Sequence, residues 1–118
     1  MEFITRNGQT VAVIDKTIKI HDVQTALDLM AEARYLSDCM AMAVYKESFA
    51  EDFFDLKTRF AGDVLQKFSN YRFKLAIVGD FGMYGSKALR DFIYECNKGN
   101  LVFFKPSLEE ALEALTRR

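Results

Sequence analysis

The feature that most constrains this chain is a hydrophobic period that keeps changing along its length. Strand-like runs alternate with helix-like stripes through short connectors. Phe3-Ile4-Thr5 and Val11-Ala12-Val13-Ile14 flank Asn7-Gly8. Asn-Gly between two β-like runs predicts a type I′ hairpin, because both central residues need positive φ. Ile18 and Ile20 alternate with lysines and predict a short extended stretch. Asp22 then caps a helix whose Val23, Ala26, Leu27, Met30 and Ala33 share one face. The continuous apolar run from Cys39 to Tyr45, bounded by Asp38 and Lys46, suits a strand covered on both faces. Phe49 to Phe54 is acidic and aromatic and reads as a loop or first helical turn. Lys57, Phe60, Ala61, Val64, Leu65 and Phe68 keep helical spacing. Leu75 to Val78 is the clearest buried strand, and a glycine-bearing loop, Gly79 to Gly85, follows it. Ser86 caps a helix with Leu89, Phe92, Ile93 and Cys96 on one side and Gly99 at its end. Leu101 to Phe104 is the last strand. After Pro106, Ser107-Leu108-Glu109-Glu110 forms a capping box for a helix that buries Leu108, Ala111, Leu112 and Leu115.

The predicted order is therefore hairpin, helix, strand, helix, strand, helix, strand, helix. Alternation of this kind implies an α/β fold: one mixed, mostly parallel sheet with an N-terminal hairpin and about four helices. The 118 residues form one domain, residues 1–118, without repeat or linker. Lys and Arg number 16 against 17 Asp and Glu, so no basic field is present to hold nucleic acid. The first residues lack the basic-then-apolar pattern of a signal peptide, and no uncharged apolar run approaches the roughly 18 residues of a membrane span. A cytoplasmic protein is expected. One histidine and two cysteines do not make a four-ligand zinc site, and no cofactor or metal is expected. Cys39 and Cys96, each among apolar residues, read as free buried thiols.

Ligands of open α/β sheets sit beyond the carboxyl ends of the strands, which directs attention to residues 45–54 and 79–86. In the second loop Asp80, Gly82, Tyr84, Gly85, Ser86 and Lys87 are candidates for holding an anion at a helix start. The order Gly85-Ser86-Lys87 inverts that of a phosphate-binding loop, where lysine precedes the hydroxyl residue. The plainer reading makes the glycines turn residues with positive φ, Ser86 a cap, and Asp80 a capping residue or a partner of Lys87 or Arg90. Tyr84, between Gly82 and Gly85, is expected to form a mobile lid over the helix start. In the first loop Phe53 and Phe54 are adjacent, so one of the two is expected to reach the surface, as is one of Phe103 and Phe104. Thr58 and Arg59 lie beside the first pair at a helix start that collects Glu51, Asp52 and Asp55. No sequence cue links His21 to a nucleophile, and a catalytic triad is not expected.

Three stretches carry a resemblance when taken together: Asp22 to Met30; Asp52 to Thr58 with Ala61 to Phe68; and Ala76 to Asp80 with Ser86 to Glu95. They resemble a bacterial family of small proteins, the domain of unknown function 4180, over nearly the whole chain. In that family a glycine usually follows the threonine, and here Arg59 stands in its place. The family label carries no activity. The element order is also similar to that of STAS domains of the anti-sigma factor antagonist type. In those proteins a Ser or Thr near the start of the helix after the third strand is a phosphorylation switch. Thr58 matches that place by position, without the Asp-Ser-Ser-Gly run. That likeness implies a non-enzymatic regulatory module binding another protein through Phe53, Phe54, Thr58 and Arg59, with a homodimer as a further assembly. The alternative is a small-ligand or nucleotide-binding protein, or an enzyme, using the Gly79–Ser86 loop.

Overall fold

A computed structural model describes residues 1–117. Strands β1 (Glu2–Arg6) and β2 (Gln9–Ile14) form the hairpin, and Asn7 (φ 53°) and Gly8 (φ 75°) make its turn, both in the left-handed region. Helix α1 (Val23–Ser37), strand β3 (Ala41–Tyr45), helix α2 (Phe60–Asn70), strand β4 (Lys74–Val78), helix α3 (Lys87–Lys98), strand β5 (Val102–Lys105) and helix α4 (Leu108–Leu115) follow. The sheet order is β1-β2-β3-β4-β5, with the hairpin antiparallel and every other pairing parallel.

The sequential strand order decides where the helices go. Right-handed crossovers that all advance in one direction place their helices on one face. Accordingly Ala26, Leu29 and Met30 of α1, Phe60, Val64 and Phe68 of α2, and Leu89 of α3 share one core with Met42, Val44, Leu75, Ile77, Val102 and Phe104. Helix α4 takes the other face, with Ala111, Leu112, Ala114 and Leu115 against Ala41, Ala43, Ala76, Val78 and Phe103. Three alanines in the middle strands on that side leave room for a short helix to lie close to the sheet. Phe103 and Phe104 are both buried, one in each core, because both faces of β5 are covered. The expectation that one of them would reach the surface is thereby corrected.

Side-chain caps fix the helix starts as read from sequence. Asp22 Oδ1 accepts from the Thr25 amide (2.8 Å) and hydroxyl (2.7 Å), which together hold its carboxyl below the usual range. Ser86 Oγ accepts from the Leu89 amide and Ser107 Oγ from the Glu110 amide, both at 3.2 Å. Ile20 makes a single parallel bridge to Phe49 and buries its side chain in the core, with Ile18 packed against it. Several boundaries differ from expectation: strands β1, β2 and β4 start one or two residues earlier. Strand β3 starts at Ala41 rather than Cys39, β5 starts at Val102 rather than Leu101, and α2 starts at Phe60 rather than Lys57. The last shift has a visible cause: residues 46–58 are wound into three short 3₁₀ turns, and Arg59 breaks helical geometry at φ 65°. Cys39 is buried with its thiol toward the Ala33 carbonyl (3.6 Å), Cys96 is half-buried, and both are free thiols. Burial raises the pKa of both, that of Cys96 to about 11, with Glu95 adding to the shift.

The alanine face is testable. Ala76→Leu adds three carbons beneath α4, and the fully buried site has no room for them. A loss of about 1–3 kcal/mol is expected in urea unfolding. Unchanged stability would mean that α4 stands further from the sheet than described.

Candidate functional site

The two loops singled out from sequence come together at the carboxyl end of the sheet, and they hold each other. Phe49 stacks on Phe53, with centroids 4.0 Å apart. Phe53 meets Phe54 (5.1 Å) and Phe60 (5.4 Å) edge to face. Phe54 then crosses to the glycine loop, stacking on Tyr84 at 5.3 Å and contacting Phe81 at 6.0 Å. Phe81 meets Phe104 of β5 at 5.2 Å, and Phe104 meets Phe92 of α3 at 6.2 Å. Eight rings thus form one chain from the β3–α2 connection to α3. Phe53 and Phe54 are both buried, at 1% and 5% exposure. The expectation that one would face a partner fails because Glu51–Phe54 is a 3₁₀ turn folded over the core, not a regular strand or helix lying on it.

Lys46, which the sequence reading passed over, fastens the loops. It stands where β3 ends, across from Gly79 where β4 ends. Its Nζ donates to the Asp80 carbonyl (2.9 Å) and to the Met83 sulfur (2.9 Å), and lies 4.8 Å from the Tyr84 ring centroid. A Cβ at Gly79 would come within 2.7 Å of Lys46 Cβ, so glycine is required there by close approach rather than by φ. The signal was present in the sequence as a glycine directly after a buried strand, but its partner is visible only from the β3–β4 register, Tyr45 opposite Val78.

The candidate anion groups are spent internally. Ser86 Oγ caps α3, and Lys87 Nζ pairs with Asp91 at 2.7 Å. Asp80 Oδ1 accepts from the Gly82 amide (2.9 Å) in a local turn, which is the backbone-capping form of the two roles expected for it rather than a pairing with Lys87 or Arg90. Gly82 and Gly85 do not adopt positive φ, correcting the reading of them as left-handed turn residues. Tyr84 is anchored to the other loop: besides stacking on Phe54, its hydroxyl donates to Glu51 Oε1 at 3.3 Å. One concavity of about 440 Å³ runs along α1 and one of about 310 Å³ lies at the amino ends of the strands, while another of about 440 Å³ lies at the carboxyl ends of β2 and β3, lined by Ile14, Asp15, Lys16 and Tyr45.

Thr58 and Arg59 are exposed at the edge of this aromatic layer. The Thr58 hydroxyl lies within donating distance of the Asp52 (2.8 Å) and Asp55 (2.9 Å) carbonyls and accepts from the Phe60 amide (3.2 Å). It ties the 3₁₀ turns to the start of α2. Arg59 has a backbone conformation that glycine enters freely and that costs a side-chain-bearing residue about 1–2 kcal/mol. A glycine at this position would remove that cost.

Burial first, and then the Glu51 carboxylate, push the Tyr84 phenol up to about 12 from its ordinary 10.0. The neutral phenol is therefore favoured by folding. Its contribution to stability is complete below pH 10.0 and is lost as pH rises toward about 12. Ultraviolet difference titration should show one late tyrosine that disappears in Tyr84→Phe and titrates earlier in Glu51→Gln. A titration without that late component would contradict the contact.

Against this geometry, the comparisons with known proteins give one match. No curated protein and no solved structure matches the chain, so the likeness to STAS domains rests on element order alone. The family model described as Domain of unknown function (DUF4180) matches residues 6–115, and the chain belongs to that family.

Proposed function

We propose that this protein is a non-catalytic regulatory module of the cytoplasm that acts by binding another protein, in the manner of STAS domains. The observation that carries this reading is the interlock of the two carboxyl-end loops. In open α/β sheets a ligand crevice forms where the strand order reverses, and β2 to β5 run in order with no reversal. Between β3 and β4, Phe54, Phe81 and Tyr84 pack together beyond the strand ends and Lys46 holds the loops against each other. What such an end offers is its outer surface. That surface carries Met83, 73% exposed, next to Lys46, Tyr84 and Glu51, and continues through Asp52 to Thr58 and Arg59.

The same contacts give Thr58 a way to control the surface. A phosphate on its hydroxyl removes the proton that bridges to the Asp52 and Asp55 carbonyls. It also adds about −1.5 to −2 charge beside Asp52 and Asp55. The 3₁₀ turns must then let go of Thr58, while the N-terminal amides of α2 favour the new charge. The switch thus changes the shape of residues 52–58 as well as their charge.

Photo-crosslinking in the native cells tests the reading. A photoreactive side chain at position 59 or 83 should give one discrete protein adduct, weakened by Thr58→Glu, and position 94 on α3 should give none. The competing reading predicts no adduct at 59 or 83, and instead a rise in melting temperature with nucleotides or inorganic phosphate that Ser86→Ala removes.

A further inference from the structure

The two edges of the sheet are finished differently. At the β5 edge the Asn97 side chain closes off the main chain: the Phe104 amide donates to Asn97 Oδ1 (2.8 Å), and Asn97 Nδ2 donates to the Phe104 carbonyl (3.2 Å). The β1 edge has no such cover. Arg6 and Gln9 flank the two-residue turn and so bond to each other both ways, and such pairs alternate along a hairpin. Glu2, Ile4 and Arg6 therefore spend their amides and carbonyls on β2, while Phe3 and Thr5 turn theirs outward. No side chain or loop among the described residues bonds to those outward groups. Strand β1 keeps its register over all five residues, with no proline or bulge to deter a second strand.

We propose that β1 pairs antiparallel with β1 of a second copy, about a two-fold axis at Ile4 that runs perpendicular to the sheet, so that two five-stranded sheets become one. Register and charge select this occupant. A two-fold contact sets residue i against residue j, and j against i. Hydrogen bonds form only where outward residues stand opposite outward residues, so the axis passes through a residue and not between two. An axis at Ile4 sets Phe3 opposite Thr5 of the second copy and Thr5 opposite Phe3, which uses every outward amide and carbonyl of that pair. It also sets Glu2 opposite Arg6 twice. An axis at Phe3 would set Glu2 against Ile4, and one at Thr5 would set Arg6 against Ile4, and the charge complementarity would be gone.

The faces of the strand agree. A two-fold axis normal to the sheet keeps each face on its own side, and residues opposite each other in an antiparallel pair point the same way. Glu2, Ile4 and Arg6 share the α4 face, where Ile4 packs against that core, and Phe3 packs against the other core. The two charge pairs thus meet on the α4 face, one on each side of an Ile4–Ile4 contact at the axis. On the opposite face Phe3 lies beside Thr5, an aromatic against a β-branched residue. Glu2 has no ion-pair partner among the described residues. Arg6 pairs with Glu109 of its own α4 through one terminal nitrogen, and the other donors of the guanidinium are left for Glu2 of the second copy. Strand β1 takes no part in the interlocked loops, so the dimer does not depend on the function proposed above.

Analytical ultracentrifugation and amide hydrogen exchange, each across a wide range of protein concentration, test the proposal. The wild type should associate into a species of twice 13.6 kDa. The Phe3 and Thr5 amides should become protected as concentration rises, while the Phe104 amide, already bonded to Asn97, should not change. Thr5→Pro removes an outward amide that the fold of one chain does not use, and should abolish association. Glu2→Arg and Arg6→Glu should each raise the dissociation constant about tenfold, since each sets two pairs of like charges face to face. An equimolar mixture of those two variants should dimerise again, because every pair across the axis then joins an arginine to a glutamate. Tyr94→Ala on α3 should leave the dimer intact. Thermal melts identify any variant that has unfolded, and the wild-type exchange data decide the matter if one has. A wild type that stays monomeric at high micromolar concentration would overturn the proposal. So would a dimer whose Phe3 and Thr5 amides stay unprotected, a dimer indifferent to Thr5→Pro, or a mixture that fails to associate.

Discussion

The approach of Lys46 to Gly79 sets the form of the working end of this molecule. Parallel pairing brings the ends of β3 and β4 side by side, and the absence of a Cβ at Gly79 lets the Lys46 stem lie against the backbone there. The ammonium group then reaches the Asp80 carbonyl and the face of Tyr84. With the glycine loop drawn toward the β3–α2 connection, Phe54 finds both Tyr84 and Phe81 as neighbours. A small-molecule site between β3 and β4 needs the two loops apart, and the aromatic layer keeps them together. Edge-to-face and offset ring pairs contribute about 0.5–1.5 kcal/mol each beyond area burial. A chain of them is a strong reason for the end to stay closed.

Strain collects where the layer meets α2. Arg59 is held with positive φ between a 3₁₀ turn and a helix, and the Thr58 hydroxyl satisfies groups on both sides of it. Backbone strain of this size persists only where surrounding contacts over-determine it. Here those contacts are the buried rings of Phe53, Phe54 and Phe60. A single modified hydroxyl at this junction acts on a segment that is both tied down and strained, which suits a switch better than a rigid helix start would.

The fold was largely legible in the sequence because its signals are local. Asn7-Gly8, the caps Asp22, Ser86 and Ser107, and the alternation of periods each depend on residues a few positions apart, and all operate in the structure. The site was less legible because its contacts are not local. Nothing near Lys46 in sequence announces Gly79 or Met83, which lie more than thirty residues away. Phe53-Phe54 misled for a related reason. Adjacent aromatics alternate in or out only in regular secondary structure, and a 3₁₀ turn over the core buries both. The glycines of the 79–85 loop suggested left-handed turns, yet only Gly79 is needed, and for space.

The central claim is that the β3–α2 connection and the glycine loop form one closed unit through Phe54 and Tyr84. A double-mutant cycle of Phe54→Ala and Tyr84→Ala, read by urea unfolding, tests it most directly. The account predicts a coupling energy of about 0.5–1.5 kcal/mol between the two rings. Strictly additive losses would contradict it, and would mean that the two rings do not couple the loops.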